Sequence, residues 1–237
     1  MPLIVSFVSQ KGGVGKSTLA RALAAVGARG KLKVKLADLD IQQQTAVRWG
    51  KARMQRGTAS PVDVAAFHTI EDALLDSEAF DLIVVDTPGH TSLSTRTVAR
   101  ASHVVVVPTG TTMDDLYPTV LLLRALEEIG ISKSRLAVAL CRVLEASEEK
   151  AAREYVEAAG YELLPGFIPE SVTYRNAQNR GQALTETIDE TANESADALI
   201  EGLLRKIAAQ SAGKQNGKAT DVSLSFDPSH YTDRSTT

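Results

Sequence analysis

Gln10-Lys11-Gly12-Gly13-Val14-Gly15-Lys16-Ser17-Thr18 decides how this chain is read. An apolar run, Leu3 to Val8, comes before it, and a helical pattern, Leu19 to Val26, comes after. Strand, glycine loop, Lys-Ser and helix form the context that a phosphate-binding loop requires. Gly12, Gly13 and Gly15 let backbone amides turn inward around an anion, since no side chain blocks the approach. The helix N-terminus adds unpaired amides and a partial positive charge. Lys16 is expected to reach the outer phosphates of a nucleotide, and Ser17 to ligate Mg²⁺ through its hydroxyl. Gly12, Gly13, Val14, Gly15, Lys16, Ser17 and Thr18 together form the expected nucleotide cradle.

A second lysine, Lys11, stands at the front of the loop. With it the stretch resembles the deviant Walker A motif, Lys-Gly-Gly-x-Gly-Lys-Ser/Thr, of the ParA/MinD family of ATPases. The match is contiguous, in register and near the N-terminus. The resemblance implies ATP as cofactor and a catalytic Lys11 that reaches across an ATP-dependent sandwich homodimer to the partner's nucleotide.

Working outward, 237 residues suit one large α/β domain or one domain with an appendage. The hydrophobic share of 43% supports a substantial core, and 5% aromatics makes that core mostly aliphatic. The net charge is −3, so any nucleic-acid binding has to come from a local basic patch. Cys141 is the one cysteine and lies in an apolar run. It has no partner for an intramolecular disulfide, and one thiol is too few for a zinc site. No leader precedes Leu3 and no apolar run approaches membrane-spanning length, so the expected location is the cytoplasm.

Short apolar runs alternate with helical patterns along the chain. That predicts an α/β fold with a mostly parallel central sheet flanked by helices on both faces, and the glycine loop with its family resemblance implies a single P-loop NTPase domain. Strands are expected at Leu3–Val8, Val34–Leu39, Val62–Phe67, Leu82–Val85, Val104–Val107, Leu136–Cys141 and Leu163–Ile168. Helices are expected after the glycine loop, at Gln43–Arg56, at Met113–Ile129, after Cys141 to Ala159, and at Asn193–Gln210. Pro118 fits only near the first turn of its helix. Thr69-Ile70-Glu71-Asp72 reads as a capping box that opens a short helix. The domain is expected to span 1–210. Residues 211–237 are rich in Ser and Thr and read as a mostly disordered tail, within which Asp221 to Phe226 alternates like a strand.

Two further strand ends carry chemistry. Asp38-Leu39-Asp40-Ile41-Gln42 closes the second strand, where residues line the ligand crevice of a parallel sheet. If strand geometry persists, Asp38 and Asp40 point to the same side. The segment resembles the family's Asp-x-Asp-Pro-Gln, with Ile41 in place of proline. That likeness implies a catalytic Asp40 that positions the attacking water and an Asp38 that helps hold the Mg²⁺ shell. Phe80-Asp81-Leu82-Ile83-Val84-Val85-Asp86 is an apolar strand ending in Asp, a Walker B pattern. Asp86 is expected to bind Mg²⁺ through water and to complete the site with Ser17. Thr87-Pro88-Gly89 resembles the family's γ-phosphate-sensing switch. His90 follows it; the four histidines show no ligand spacing.

The resemblance covers roughly Pro2 to Gln210 and best fits short ParA partition proteins, with no helix-turn-helix ahead of the loop. It places Asp114-Asp115 toward the dimer interface and the adenine pocket around Ile168-Pro169-Glu170-Ser171, with Pro169 as a contact. It implies non-specific DNA binding through basic residues, here Arg175, Arg180, Arg205 and Lys206, and a nucleoid-associated location. It also implies a ParB-type centromere-binding or adaptor partner that stimulates hydrolysis. Other function classes are weighed against this one. A MinD-like membrane ATPase needs a basic amphipathic C-terminal segment; Leu199, Ile200, Leu203, Leu204 and Ile207 form a stripe, but the expectation is that it packs on the core and that no stable membrane binding occurs. A nitrogenase-reductase-like carrier needs two cluster cysteines per subunit. A positioning ATPase for a protein assembly shares every motif.

Overall fold

In the computed structural model, residues 1–57, 60–89, 93–187 and 189–215 are described. Seven strands form one sheet: β1 Leu3–Phe7, β2 Val34–Asp38, β3 Asp63–Ala66, β4 Leu82–Asp86, β5 Val104–Thr109, β6 Leu136–Val143 and β7 Ile168–Pro169. Their order is β3-β2-β4-β1-β5-β6-β7, and every pairing is parallel. The helices are α1 Lys16–Arg29, α2 Thr45–Gln55, α3 Ile70–Ala73, α4 Leu93–Ala101, α5 Met113–Glu128, α6 Ala146–Ala158, α7 Val172–Asn179 and α8 Glu190–Gln215.

The near-continuous apolar strands follow from burial on both faces. Alternate residues enter two separate cores. Phe7, Leu36, Val84, Val106 and Ala139 pack with α1, α2 and α8, whereas Val8, Ala37, Val85, Val107 and Leu140 pack with α4, α5 and α6. Leu199, Ile200, Leu203, Leu204 and Ile207 of α8 are buried in the first core, as their spacing predicts. Thr69 accepts the Asp72 amide at 3.1 Å and so caps the short α3.

Several elements depart from expectation. α4 and α7 are absent from the expected set, because their sequences are rich in Ser, Thr, Arg and Asn and carry few large apolar residues. Pro118 lies in the second turn of α5, where its missing N–H leaves the Asp114 carbonyl without its helical donor. The last strand is shorter than 163–168. Leu163 makes an isolated bridge to Val138, Pro165 cannot donate to a ladder, and Gly166 turns at φ +67 beside α8. α8 starts earlier than Asn193 and ends later than Gln210, so it absorbs the first residues assigned to the tail. The remaining tail, 216–237 with Asp221 to Phe226, lies outside the described residues, as does His90.

Candidate active site

The site forms at the carboxyl ends of β1, β2 and β4, where a parallel sheet leaves a crevice. Phe7, Asp86 and Asp38 stand in register on these three neighbouring strands. Residues in register share a face of the pleat. Both carboxylates therefore project to the side that α1 covers.

The loop 9–15 joins β1 to α1. Gly13 and Gly15 take φ values of +74 and +103, which only glycine adopts without strain. A Cβ on Gly15 would lie 2.8 Å from Cys141 Sγ, so this cysteine is the packing surface beneath the loop. Cys141 is 1% exposed, and burial pushes its thiol up to about 12, which keeps it protonated and unreactive. The first turn of α1 holds Lys16, Ser17 and Thr18 and no acidic residue, leaving its amides available to an anion.

Lys16 is buried, and its Nζ donates to the Lys11 carbonyl at 2.8 Å. Burial lowers its pKa, and Asp86 and Asp40 raise it again in part. Lys11 Nζ bonds Asp115 Oδ1 on α5 at 2.9 Å. The Ser17 hydroxyl accepts from Thr45 Oγ1 at 3.0 Å. Thr87 Oγ1 donates to the Phe7 carbonyl at 2.7 Å, and Gly89 comes so close that a Cβ there would sit 2.8 Å from Gly12 Cα. The segment after β4 thus lies directly on the glycine loop.

Asp86 is 1% exposed, and neither carboxylate oxygen has a fully formed hydrogen bond. Burial pushes its pKa up to about 7; the neighbouring Ser17 hydroxyl and the Arg21 and Lys16 cations offset part of that, while Asp38 adds to it. An orphaned buried carboxylate beside a hydroxyl suits Mg²⁺. Among the described residues no group of three or more His, Cys, Asp or Glu side chains is arranged to hold a metal. A cation here would therefore complete its shell with phosphate oxygens and water.

Asp38 is fully buried. Its Oδ2 accepts from Ala46 and Val47 at 2.9 and 3.2 Å, and its Oδ1 accepts from Asp40 at 3.0 Å. Burial raises its pKa, and these three amides pull it back in part. Strand geometry stops at Asp38, so the expected alternation does not carry on to Asp40. Asp40 lies in the following turn, half-buried, and accepts the Gln43 amide at 3.0 Å.

A cavity of about 440 Å³ opens beside these groups. Gly12, Gly13, Gly15, Lys16, Ser17, Thr18 and Asp40 line it at one end, and Ile168, Pro169, Glu170 and Ser171 at the other. Lys11, Val14, Asp38 and Asp86 do not line it; Lys11 and Val14 border a small neighbouring pocket with Asp115. Arg21, Gln178 and the DNA-binding candidate Arg175 also line the cavity; the first two are absent from the sequence-based expectation. Arg21 Nη1 donates to Gln178 Oε1 at 2.7 Å, and Thr18 Oγ1 donates to the same atom at 3.3 Å, which ties α1 to α7. The i, i+4 spacing of Ser17 and Arg21 was the available sign, since it puts both on one face of α1.

The four basic candidates separate. Arg175 and Arg180 are exposed on α7 and at its end; Arg175 pairs with Glu170 at 3.4 Å. Arg205 pairs with Glu201 at 3.7 Å. Lys206 is a correction: it is buried and bonded to Glu162 at 2.5 Å, because it falls within the packed stripe of α8.

Comparison with known proteins agrees with this geometry. The sequence profile of the CobQ/CobB/MinD/ParA nucleotide binding domain (CbiA) matches residues 5–184. Protein virC1 of Rhizobium radiobacter is 28% identical over 138 residues, which are 55% of this chain and 59% of that protein's length. The septum site-determining protein MinD of Pyrococcus horikoshii, complexed with Mg-ADP, superposes with a TM-score of 0.68 at 18% identity, covering 89% of this chain and 99% of that one. A putative plasmid partition protein of Borrelia burgdorferi bound to AMPPNP gives 0.66 at 16% identity, covering 86% and 99%. At such identities the two structures show a shared fold. The profile match spans most of the chain, and with the phosphate loop and the two strand-end carboxylates in place, this chain belongs to the CobQ/CobB/MinD/ParA nucleotide-binding family.

Proposed function

We propose that the protein is a Mg²⁺-dependent ATPase whose nucleotide cycle switches dimerisation and non-specific DNA binding, in the service of plasmid or chromosome partition. The observation that carries the ATPase reading is the orphaned, buried Asp86 carboxylate beside Ser17, which lines the cavity together with Lys16. The partition reading is supported by the plasmid partition protein among the structural neighbours.

The chain's residues divide the work. Lys16 exchanges the Lys11 carbonyl for the outer phosphates. The loop amides and the N-terminus of α1 hold phosphate oxygens without a protein anion to compete. Ser17 and Asp86 would hold Mg²⁺, which supplies charge neutralisation at the β- and γ-oxygens. Asp40 orients the attacking water, and hydrolysis proceeds by positioning and electrostatic stabilisation. Asp38 acts by holding α2, and through it the Asp40 turn, in place. Pro169 and its neighbours contact the base. Lys11 leaves Asp115 to cross the interface of a sandwich dimer, which doubles the DNA-contacting surface and raises affinity by avidity. A centromere-binding or adaptor protein then stimulates hydrolysis, and the dimer releases DNA.

The test is binding to a non-specific duplex with ATP, ADP or no nucleotide across a salt series, using wild type, Lys16→Ala and Asp40→Ala. Salt-sensitive binding only with ATP, lost in Lys16→Ala and prolonged in Asp40→Ala, is expected. No DNA binding in any state, despite ATP-dependent dimers, would overturn the DNA part of the proposal.

A further inference from the structure

Basic and acidic residues are unevenly distributed on this molecule. Residues 41–62 contain Arg48, Lys51, Arg53 and Arg56 and no acidic residue, in a chain whose net charge is −3. Residues 172–182 contain Arg175 and Arg180 and likewise no acid. The fold brings the two runs together. Trp49 Nε1 donates to the Gln182 carbonyl at 3.0 Å, and Arg53 holds the Gly181 carbonyl and Glu186, the latter through two 2.8 Å bonds. Gly181 packs so tightly on α2 that a Cβ there would lie 2.3 Å from the Arg53 amide nitrogen. Arg53 is thereby buried and neutralised inside the joint. Arg48, Lys51 and Arg56 on α2 and Arg180 after α7 stay exposed, and none of the four forms an ion pair with a described residue.

We infer that this joined α2–α7 face is the surface that meets the phosphate backbone of duplex DNA, with Arg48, Lys51 and Arg56 as contacts alongside Arg180. The inference rests on the DNA-binding function proposed above and locates it. Exposed amides, Gln55, Asn176 and Asn179, stand among the cations and supply neutral donors of the kind that position a protein on phosphates. The exposed residues of the two runs are mainly cations and amides, with Ile41, Met54 and Val172 the large apolar exceptions, so the face lacks the apolar centre of a protein interface. It also starts at the cavity: Arg48 donates to the Gln43 carbonyl in the turn that carries Asp40, and Gln178 of α7 holds Thr18 and Arg21.

The experiment compares wild type with Lys51→Ala/Arg56→Ala and with Arg205→Ala, each with ATP and Mg²⁺, on duplexes of two unrelated sequences from 50 to 300 mM salt. The double variant is expected to lose affinity equally for both sequences. Its log–log salt slope should fall by about 2 for each protomer engaged, since each lost phosphate contact removes about 0.9. Its melting temperature and DNA-free ATP turnover are expected to stay at wild-type values. Wild-type binding with an unchanged slope in the double variant would overturn this surface while leaving DNA binding intact; a slope change confined to Arg205→Ala would do the same and move the contact to α8. A wild type that binds no DNA in any nucleotide state would overturn both the surface and the function it rests on.

Discussion

Lys11 Nζ lies 2.9 Å from Asp115 Oδ1, so the front lysine of the glycine loop is held within its own chain by the start of α5. Asp115 is itself fixed by a 2.9 Å bond from Thr112 Oγ1. Both partners of the ion pair are partly exposed, at 39% and 19%. Such a pair contributes about 1 kcal/mol at most. It is strong enough to bias a side chain between two positions and too weak to hold the fold. Asp115→Asn is expected to release Lys11 and raise the fraction of ATP-dependent dimer, with a melting temperature within about 4 °C of wild type. Lys11→Ala is expected to abolish that dimer. Sedimentation velocity with ATP reads both outcomes. A fall in dimerisation for Asp115→Asn would show that the carboxylate supports the interface and does not restrain the lysine.

The two aspartates at the carboxyl end of β2, Asp38 and Asp40, are expected to have separable roles. Asp38 satisfies three amides, two of them at the start of α2, and no solvent reaches it. Asp38→Ala leaves those donors without an acceptor and is expected to cost about 2 kcal/mol, or some 4–8 °C in melting temperature. Asp40 is half-buried and accepts one exposed amide. Asp40→Ala is expected to melt within about 2 °C of wild type, to bind ATP normally and to lose hydrolysis by at least about a hundredfold. Thermal melts set beside single-turnover hydrolysis separate the two. Equal losses of stability would contradict the division.

The parts of the site legible in the sequence are those where chemistry demands a residue type at a spacing. The glycine loop with Lys16 and Ser17, and the aspartates that end apolar strands, are of this kind. What was not legible depends on partners distant in sequence. Asp38 reads in the sequence as part of a Mg²⁺ shell; that it also accepts the amides of Ala46 and Val47 is seen only in the folded chain. Lys206 looks like a surface cation until Glu162 is brought beside it. α4 and α7 escaped because polar helices carry little apolar periodicity. The acid-free run 41–62 was visible, but its junction with α7 exists only in the folded chain.

Asp86 links stability to pH. Its pKa rises from the ordinary 3.8 to about 7, so the folded protein binds more protons at this group than the unfolded chain does between those values. Stability then falls as pH rises through that window, at about 1.4 kcal/mol per unit at the steepest. Asp86→Asn removes the effect. In the absence of Mg²⁺ and nucleotide, the variant is expected to melt several degrees above wild type at pH 8, with the gap closing toward pH 4.5. Mg²⁺ with ATP should stabilise wild type at pH 8 by more than the variant, which keeps the loop and Lys16 for the phosphates and lacks the carboxylate. A gap that does not vary with pH would show that Asp86 does not titrate in this range.

Gly181 and Gly57 form a matched pair for the α2–α7 joint. Both have positive φ, +75 and +72, so alanine strains the backbone at either one. Their surroundings differ. A Cβ at Gly57 meets nothing within 4 Å, whereas one at Gly181 meets the backbone of Ala52 and Arg53 at 2.6 and 2.3 Å, atoms that cannot rotate away. Gly57→Ala is expected to cost about 1 kcal/mol from the backbone alone. Gly181→Ala adds displacement of α7 from α2, for a total of about 3 kcal/mol or more. Trp49 is the sole tryptophan, 2% exposed, and it bonds the Gln182 carbonyl, so it reports the separation directly. Gly181→Ala should red-shift its emission as water reaches the indole, and Gly57→Ala should not. Equal stability losses with an unchanged spectrum in both variants would mean that α2 and α7 are not locked together at this glycine.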